Sequence, residues 1–361
     1  MKWLPLSLSV LTALSSVQAV NWQISDKIQG QDYYEKFNFI SGTDANMTQG
    51  LVVYQGIDSA KNLNLTSVDG NKFTMRVDTT KEQHEGRPSI RIESKTSYND
   101  SVIIMQASHV PTGCAVWPAF WTVTNNQPLW PKGGEIDILE NVNDQFPYNL
   151  GSVHLNTSCS IQNPQQTGTT VFTQCNALAN QQSGCRVAMN GTNPSWSYAD
   201  LNQKGGVTVA MERDFSDGGK GIRMWLWAKG EEPSDVKSPG KDVNPDQWGV
   251  PNADFGLTQC SDQFNNHNII FDITLCGSWA GNAYTETTCP SQFKSCSYQV
   301  GFLGDSFKDA YWVVDGLYVY TPNGVAGVGA STKQANDGSI PRHALALTYT
   351  LIFAAIVACF L

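Results

Sequence analysis

Apolar residues recur at every second position in short runs, and this rhythm limits the chain to strands. Phe73, Met75 and Val77 alternate with Lys72, Thr74 and Arg76, and Ile90 and Ile92 flank Arg91. Val207, Val209 and Met211 form one run. Ile222, Met224 and Leu226 alternate with Arg223, Trp225 and Trp227 in the next. A period of two sends neighbouring side chains to opposite faces, so each run has one face for a core. Between the two ends, no segment keeps a helical period through three turns. Residues 269–275 are nearly all apolar or β-branched, as a buried strand is. Trp312, Val314, Leu317 and Val319 close the series, with Gly316 as an irregularity. Turn clusters such as Asp69-Gly70-Asn71 and Ser216-Asp217-Gly218-Gly219 separate the runs. Two packed antiparallel sheets satisfy this pattern, so an all-β sandwich is predicted. No linker divides residues 21–325 and no repeat appears, so one domain is expected over 20–325.

Charge narrows the partners. The net charge of −9 argues against nucleic acid, which needs basic stripes to displace counterions. A core of this size is stable without a metal or a second copy, so a monomer with no cofactor is expected. Both ends read as targeting segments. Residues 1–19 carry Lys2, an apolar run over 3–16 and the small-residue site Val17-Gln18-Ala19, the form of a cleaved signal peptide. Residues 344–361 are an apolar tail, shorter than the roughly 20 residues of a membrane span. Residues 326–343 form a polar stalk with small residues at Gly329, Ala330, Asn336, Asp337 and Gly338. Small residues, a polar spacer and an apolar tail predict a GPI attachment signal, hence a membrane partner at the cell surface. A single C-terminal membrane anchor is the alternative. Eight cysteines lie between the ends, at 114, 159, 175, 185, 260, 276, 289 and 296, and Cys359 lies in the tail. An even count in a secreted chain predicts disulfides of open pairing. The absence of Cys-x-x-Cys argues against zinc. Sequons stand at Asn46, Asn64, Asn99, Asn156 and Asn190.

The chemistry concentrates in Glu135-Ile136-Asp137-Ile138-Leu139-Glu140, entered through Gly133-Gly134. On a helix Asp137 would lie ~200° from Glu135, and the acids would splay apart. On a strand Glu135 and Asp137 share one face while Ile136 and Ile138 face the core. Regular alternation would then put Leu139 beside them. One extra residue, a β-bulge, returns Glu140 to the acidic face. The two glutamates are then ~13 Å apart along the backbone. Their side chains must each lean roughly 4 Å to reach the ~5–5.5 Å that a retaining glycosidase requires. Crowded carboxyls cannot all ionise, which supplies a protonated acid beside an ionised partner. A calcium site or a solvated acidic face also fits three carboxylates, although calcium ligands usually sit on loops.

At this segment the chain resembles glycoside hydrolase family 16, in its fungal laminarinase-like branch. The hallmark Glu-x-Asp-x-x-Glu stands at Glu135, Asp137 and Glu140. Trp117-Pro118-Ala119-Phe120-Trp121 resembles the strand before it. Leu129-Trp130-Pro131-Lys132-Gly133-Gly134 leads in, and Asn141-Val142-Asn143-Asp144 follows. His154 matches a family histidine, and Cys276-Gly277-Ser278-Trp279-Ala280-Gly281 matches another signature. The resemblance covers roughly residues 25–322.

It implies a β-jelly-roll with a glycan cleft on a concave sheet. It implies Glu135 as nucleophile, Glu140 as acid/base and Asp137 as the residue that tunes the nucleophile. Trp121, Trp130 and Trp279 fall at cleft positions and are expected to bind substrate by stacking. His154 is expected to bind substrate or relay a proton. Trp117 is equally a core candidate, and Trp225 and Trp227 either line the cleft or pack under a loop. The implied partners are β-1,3-glucans, often with β-1,6 branches, or mixed β-1,3/1,4-glucans. Two positions depart from the branch: Asn141 replaces a frequent glycine and Ser278 a frequent aspartate, both touching subsite preference. Competing readings are a cell-wall transglycosylase and a non-catalytic glucan-binding protein. Fungal wall transglycosylases of the family tend to lack the extra residue, and binding proteins lose a glutamate. Both features favour hydrolysis here.

Overall fold

The computed structural model describes residues 20–144, 149–179, 183–189 and 197–329. The expected signal peptide, the stalk from 330, the apolar tail and the sequon at Asn190 lie outside the described residues. Among the described residues no helix is long and apolar enough to cross a membrane.

The alternating runs form two nine-stranded antiparallel sheets. The acid-bearing sheet runs Thr169–Phe172, Cys185–Ala188, Leu150–His154, Glu135–Glu140, Val116–Thr124, His267–Leu275, Arg91–Tyr98, Phe37–Phe39. The opposite sheet is built on Trp22–Ile28, Tyr311–Pro322, Ser101–His109, Val207–Asp214 and Gly221–Ala228. A small third sheet pairs Gly42–Thr43, Val52–Tyr54 and Arg87–Ser89. Helices are short: the longest described, Cys296–Phe302, has seven residues.

Inward faces of both sheets meet in one core. Ile103, Met105, Val207, Val209, Met224 and Leu317 come from one side, and Phe120, Ile136, Val153, Phe271 and Ile273 from the other. Each fully buried side chain of this size contributes about 1.5–3 kcal/mol. Gly316 behaves as expected: the pairing of Tyr311–Pro322 with Ser101–His109 shifts on both sides of Val314. The shift lets Val314 and Leu317, three positions apart, both enter the core. The opposite sheet also buries its outer face, against Trp22, Val236, Val243 and Trp248. Trp225 and Trp227 belong there, edge-on to Trp248 at 5.1 and 6.0 Å. They pack under a loop and take no part in the acidic face.

The disulfides join Cys114 to Cys289, Cys159 to Cys260, Cys175 to Cys185 and Cys276 to Cys296. Val328–Gly329 pairs with Arg91–Tyr98, so residues at the start of the expected stalk extend the acid-bearing sheet. Asn46, Asn64 and Asn99 are exposed and Asn156 half-buried.

Candidate active site

Two glycines set up the acidic strand. Gly133 and Gly134 take φ angles of 91° and 84°, and a side chain at either would collide with Thr124 or Phe264. The strand Glu135–Glu140 then pairs with Val116–Thr124 and Leu150–His154. Trp121 opposes Asp137 and Phe120 opposes Leu139, so Ile138 is skipped. On the other side Asp137 opposes Ser152 and Glu140 opposes Leu150. This is the expected bulge, with one refinement. The residue left out of register is Ile138, and both Ile138 and Leu139 turn into the core.

A bulge leaves backbone groups without ladder partners, and such groups are costly when buried. Asn149 takes them up. Its Oδ1 accepts from Glu140 N–H at 3.0 Å, and its Nδ2 donates to the Ile138 carbonyl at 3.3 Å. The Tyr198 hydroxyl donates to the same Oδ1 at 2.6 Å and fixes the amide orientation. The turn after the acids is held as well. Asn143 accepts from Ala115 N–H and donates to the Ala280 carbonyl, both at 2.8 Å.

The acids project together. Trp130 Nε1 donates to Glu135 at 3.0 Å, and Trp117 Nε1 donates to Glu140 at 2.8 Å. His154 lies directly across from Glu135. Its Nε2 stands 3.0 Å from Asp137 Oδ2 and 3.9 Å from Glu135 Oε1. Trp121 Nε1 donates to Asp272 at 3.0 Å, and the Arg91 guanidinium lies 5.0 Å over the Trp121 ring. Trp279 packs edge-on against Trp117 at 5.5 Å. The structure therefore gathers all seven sequence-predicted positions on one face. A small polar cavity walled by Glu212, Asp214, Arg223 and Asp246 lies on the opposite sheet and shares no residue with them.

Burial dominates the electrostatics. It pushes Glu135 well above the ordinary carboxyl range, and Asp137 adds to this, while the Trp130 N–H and Arg91 oppose it. Burial and then Asp137 lift Glu140 to about 8, against the Trp117 N–H, Arg186 and His154. Burial raises Asp272 to about 7, chiefly against Arg91. Of the two glutamates, Glu140 is thus the one favoured to carry a proton at neutral pH. Glu135, Asp137 and His154 also bring three donor atoms within 4.8 Å of one another. A set containing imidazole is not a calcium set, which is built from six to eight oxygens. It suits a zinc-like ion better, but the same Nε2 is engaged by Asp137.

Sequence reading missed Arg91, Asp272, Asn149 and Arg186. Asp272 carried a signal, as the lone carboxylate in an otherwise uncharged strand. Arg186 carried another, as a charge between the buried Cys185 and Val187. Asn149 carried none, because its partners lie along another strand.

Protonatable carboxyls walled by indoles suit the cleavage of glycosidic bonds, so fold and site define a β-sandwich glycosidase. Comparison with known proteins agrees. The model for an XgeA-like catalytic domain of glycoside hydrolase family 16 matches residues 37–320. A probable glycosidase of Schizosaccharomyces pombe is 35% identical over 312 residues, which are 84% of this chain and 70% of the relative. A probable endo-1,3(4)-β-glucanase of Aspergillus fumigatus is 34% identical over 92% of this chain and 51% of its own. The chain thus spans about half the length of that relative. A solved structure of laminarinase 16A from Phanerochaete chrysosporium, with β-glucans in donor and acceptor sites, superposes with a TM-score of 0.76. It is 32% identical and covers 83% of this chain and all of its own. An elongating β-1,3-glucosyltransferase of the family superposes at 0.72, with 29% identity, covering 83% of this chain and all of its own. This chain belongs to glycoside hydrolase family 16, a family of retaining enzymes, and its sandwich is the β-jelly-roll expected from the sequence.

The clamp on the bulge makes a direct prediction. Asn149→Ala strands two buried backbone groups, with an expected cost of about 1–3 kcal/mol in stability. It also frees Glu140 to drift, and a shift of about 1 Å costs on the order of 10²-fold in kcat. Thermal melting and steady-state kinetics check both. Unchanged kcat at normal stability would show that the clamp does not position Glu140.

Proposed function

We propose that this chain is a secreted, cell-surface endo-β-glucanase that hydrolyses β-1,3- or mixed β-1,3/1,4-glucan with retention of configuration. One observation carries the proposal: two glutamates on a bulged strand, each accepting an indole N–H, flank an aspartate 3.0 Å from His154 Nε2. The roles follow the family order. Glu135 attacks the anomeric carbon and forms a glycosyl ester, while Glu140 gives its proton to the departing glycosidic oxygen. Glu140, now a carboxylate, takes a proton from water, whose oxygen attacks the anomeric carbon and releases Glu135. Asp137, beside Glu135 and 3.0 Å from His154 Nε2, balances the charge as the nucleophile cycles. Trp121, Trp130 and Trp279 offer flat faces to sugar rings. The linkage assignment draws on the names of the Aspergillus relative and of the laminarinase.

A second reading is transfer of the glycosyl group to a sugar. The similarity to an elongating glucosyltransferase favours it, and the extra residue in the acidic strand favours hydrolysis. The deciding experiment incubates the purified full-length protein with laminarin and with lichenan. Hydrolysis predicts reducing ends that appear first as the β-anomer by NMR. Longer oligosaccharides without new reducing ends would make transfer the better account, and neither product would sink the glucanase reading. Four disulfides support a secreted enzyme. Anchoring by a glycolipid is tested by release from cells with a phosphatidylinositol-specific phospholipase; retention despite it would favour a membrane span.

A further inference from the structure

Arg186 is a charged residue of the acidic face that, like Arg91 and Asp272, takes no part in the reaction above. It sits on the strand Cys185–Ala188 between two core residues, directly across from Ser152, which in turn faces Asp137. Its guanidinium carbon lies 5.0 Å from the centre of the Trp279 ring. Trp279 abuts Trp117, and Trp117 donates to Glu140. Arginine, two indoles and the glutamate thus form one continuous wall.

The arginine is held but not satisfied. In a chain of net charge −9, it makes no ion pair among the described residues. Its Nε is buried and has no hydrogen-bond partner among them. Ser152 Oγ, its cross-strand neighbour, is likewise buried without a partner. Buried donors are nearly always paired, so an unpaired guanidinium edge in an active-site wall points to a ligand that completes it. The surrounding carboxylates repel anions, which leaves a neutral polyhydroxylated ligand as the match. On the next strand Phe172 lies opposite Arg186 and is 47% exposed, extending the wall with another flat surface.

The side of the site matters. Glu140 protonates the departing oxygen, so the groups walled around Glu140 meet the sugar that leaves. The same place receives the sugar that enters when transfer replaces hydrolysis. Resting on the glucanase reading, we propose that Arg186, seated on Trp279, is an acceptor-side glucan-binding residue that donates to hydroxyls of the leaving or incoming glucose unit.

The test uses the full-length enzyme, an Arg186→Met variant and two substrates. Laminaripentaose places glucose units on the acceptor side, whereas a nitrophenyl β-laminaribioside leaves only an aryl group there. R186M is expected to lose about 10- to 100-fold in kcat/KM on laminaripentaose, the worth of hydrogen bonds from a charged group. On the aryl substrate, with each enzyme assayed at its own pH optimum because Arg186 also bears on Glu140, the loss should be several-fold smaller than on laminaripentaose, and transfer products at high laminaripentaose should decline relative to hydrolysis. R186K tests the shape of the donor: it keeps the charge but lacks Nε, so it should recover only part of the loss. Equal losses on both substrates would overturn the acceptor role in favour of a general effect on Glu140 or on folding. Wild-type rates on both would overturn it as well. A wild-type enzyme inactive on both substrates would instead overturn the glucanase reading beneath it.

Discussion

Glu135→Gln is expected to lower kcat on laminarin by about 10⁴-fold or more, because no other carboxylate can form the glycosyl ester. The amide keeps the shape and still meets the Trp130 indole, so stability should hold. Glu140→Gln is expected to fail differently. Losing the general acid costs about 10²- to 10⁴-fold on natural substrate. An aryl glycoside needs little protonation, so its first step should survive in this variant, and added azide should restore turnover as a glycosyl azide. Azide rescue of the Glu135 variant with retained configuration, and none of the Glu140 variant, would reverse the assignments. The pH profile adds a second signature. Glu140 must be protonated to act, so activity should fall as pH rises through about 8. The acid limb reports Glu135, which must be ionised, and should lie above the ordinary glutamate range. Stability follows the same sign. The folded-state pKa of Glu140 is raised, so its contribution is present below the ordinary glutamate value of 4.5 and is lost as pH climbs through about 8. The Glu140→Gln variant should lack that decline.

The largest effect on stability is expected at Arg87. This side chain is fully buried. Its Nε and Nη2 donate to the Val300 carbonyl at 3.0 and 2.6 Å. Its Nη1 reaches the carbonyls of Asp78 and Thr80 at 3.2 and 2.7 Å and the Asp78 carboxylate at 3.3 Å. One guanidinium thus ties the small third sheet to the helix Cys296–Phe302 and to residues 78–80. Arg87→Met fills the space but leaves an uncompensated carboxylate and bare carbonyls. Breaking a buried pair in this way costs about 3–5 kcal/mol. For a domain of this size the melting temperature should fall on the order of 5–10 °C. A melt within about 1 °C of wild type would refute the claim that this network carries stability.

Period-two alternation made both sheets legible before any coordinates. The apolar phase change at Gly316 and the spacing of the three acids made two irregular strands legible too, whereas the register shifts at Ile24/Asp26, Thr170/Phe172, Ile222/Arg223 and Asn268/Ile270 left no such mark. Those signals are local: each comes from residues a few positions apart. Trp121, Trp130, His154 and Trp279 needed the family resemblance, because a lone tryptophan or histidine reads equally well as core. Trp225 and Trp227 show the ambiguity, since their strand presents an apolar face on each side and only the packing of Trp248 decides what covers the second. Arg91, Asp272 and Arg186 come from other strands and Asn149 from the residue before one, and they gain meaning only through pairing. The cysteine pairing was unreadable for the same reason, with partners between 10 and 175 residues apart.

Cys276–Cys296 closes the stretch that carries Trp279, Cys114–Cys289 staples it to the start of the strand Val116–Thr124, and Asn143 binds it at Ala280. The acids themselves ride on the sheet, secured by Asn149. The acids and the stretch that carries Trp279 therefore have largely distinct fastenings that meet at Asn143 and at the Trp117–Trp279 contact. Exposed positions within residues 277–295 can therefore change with little effect on the carboxylates, provided that Trp279, the Ala280 carbonyl and Cys289 keep their contacts. The same seam is where a designer would cut.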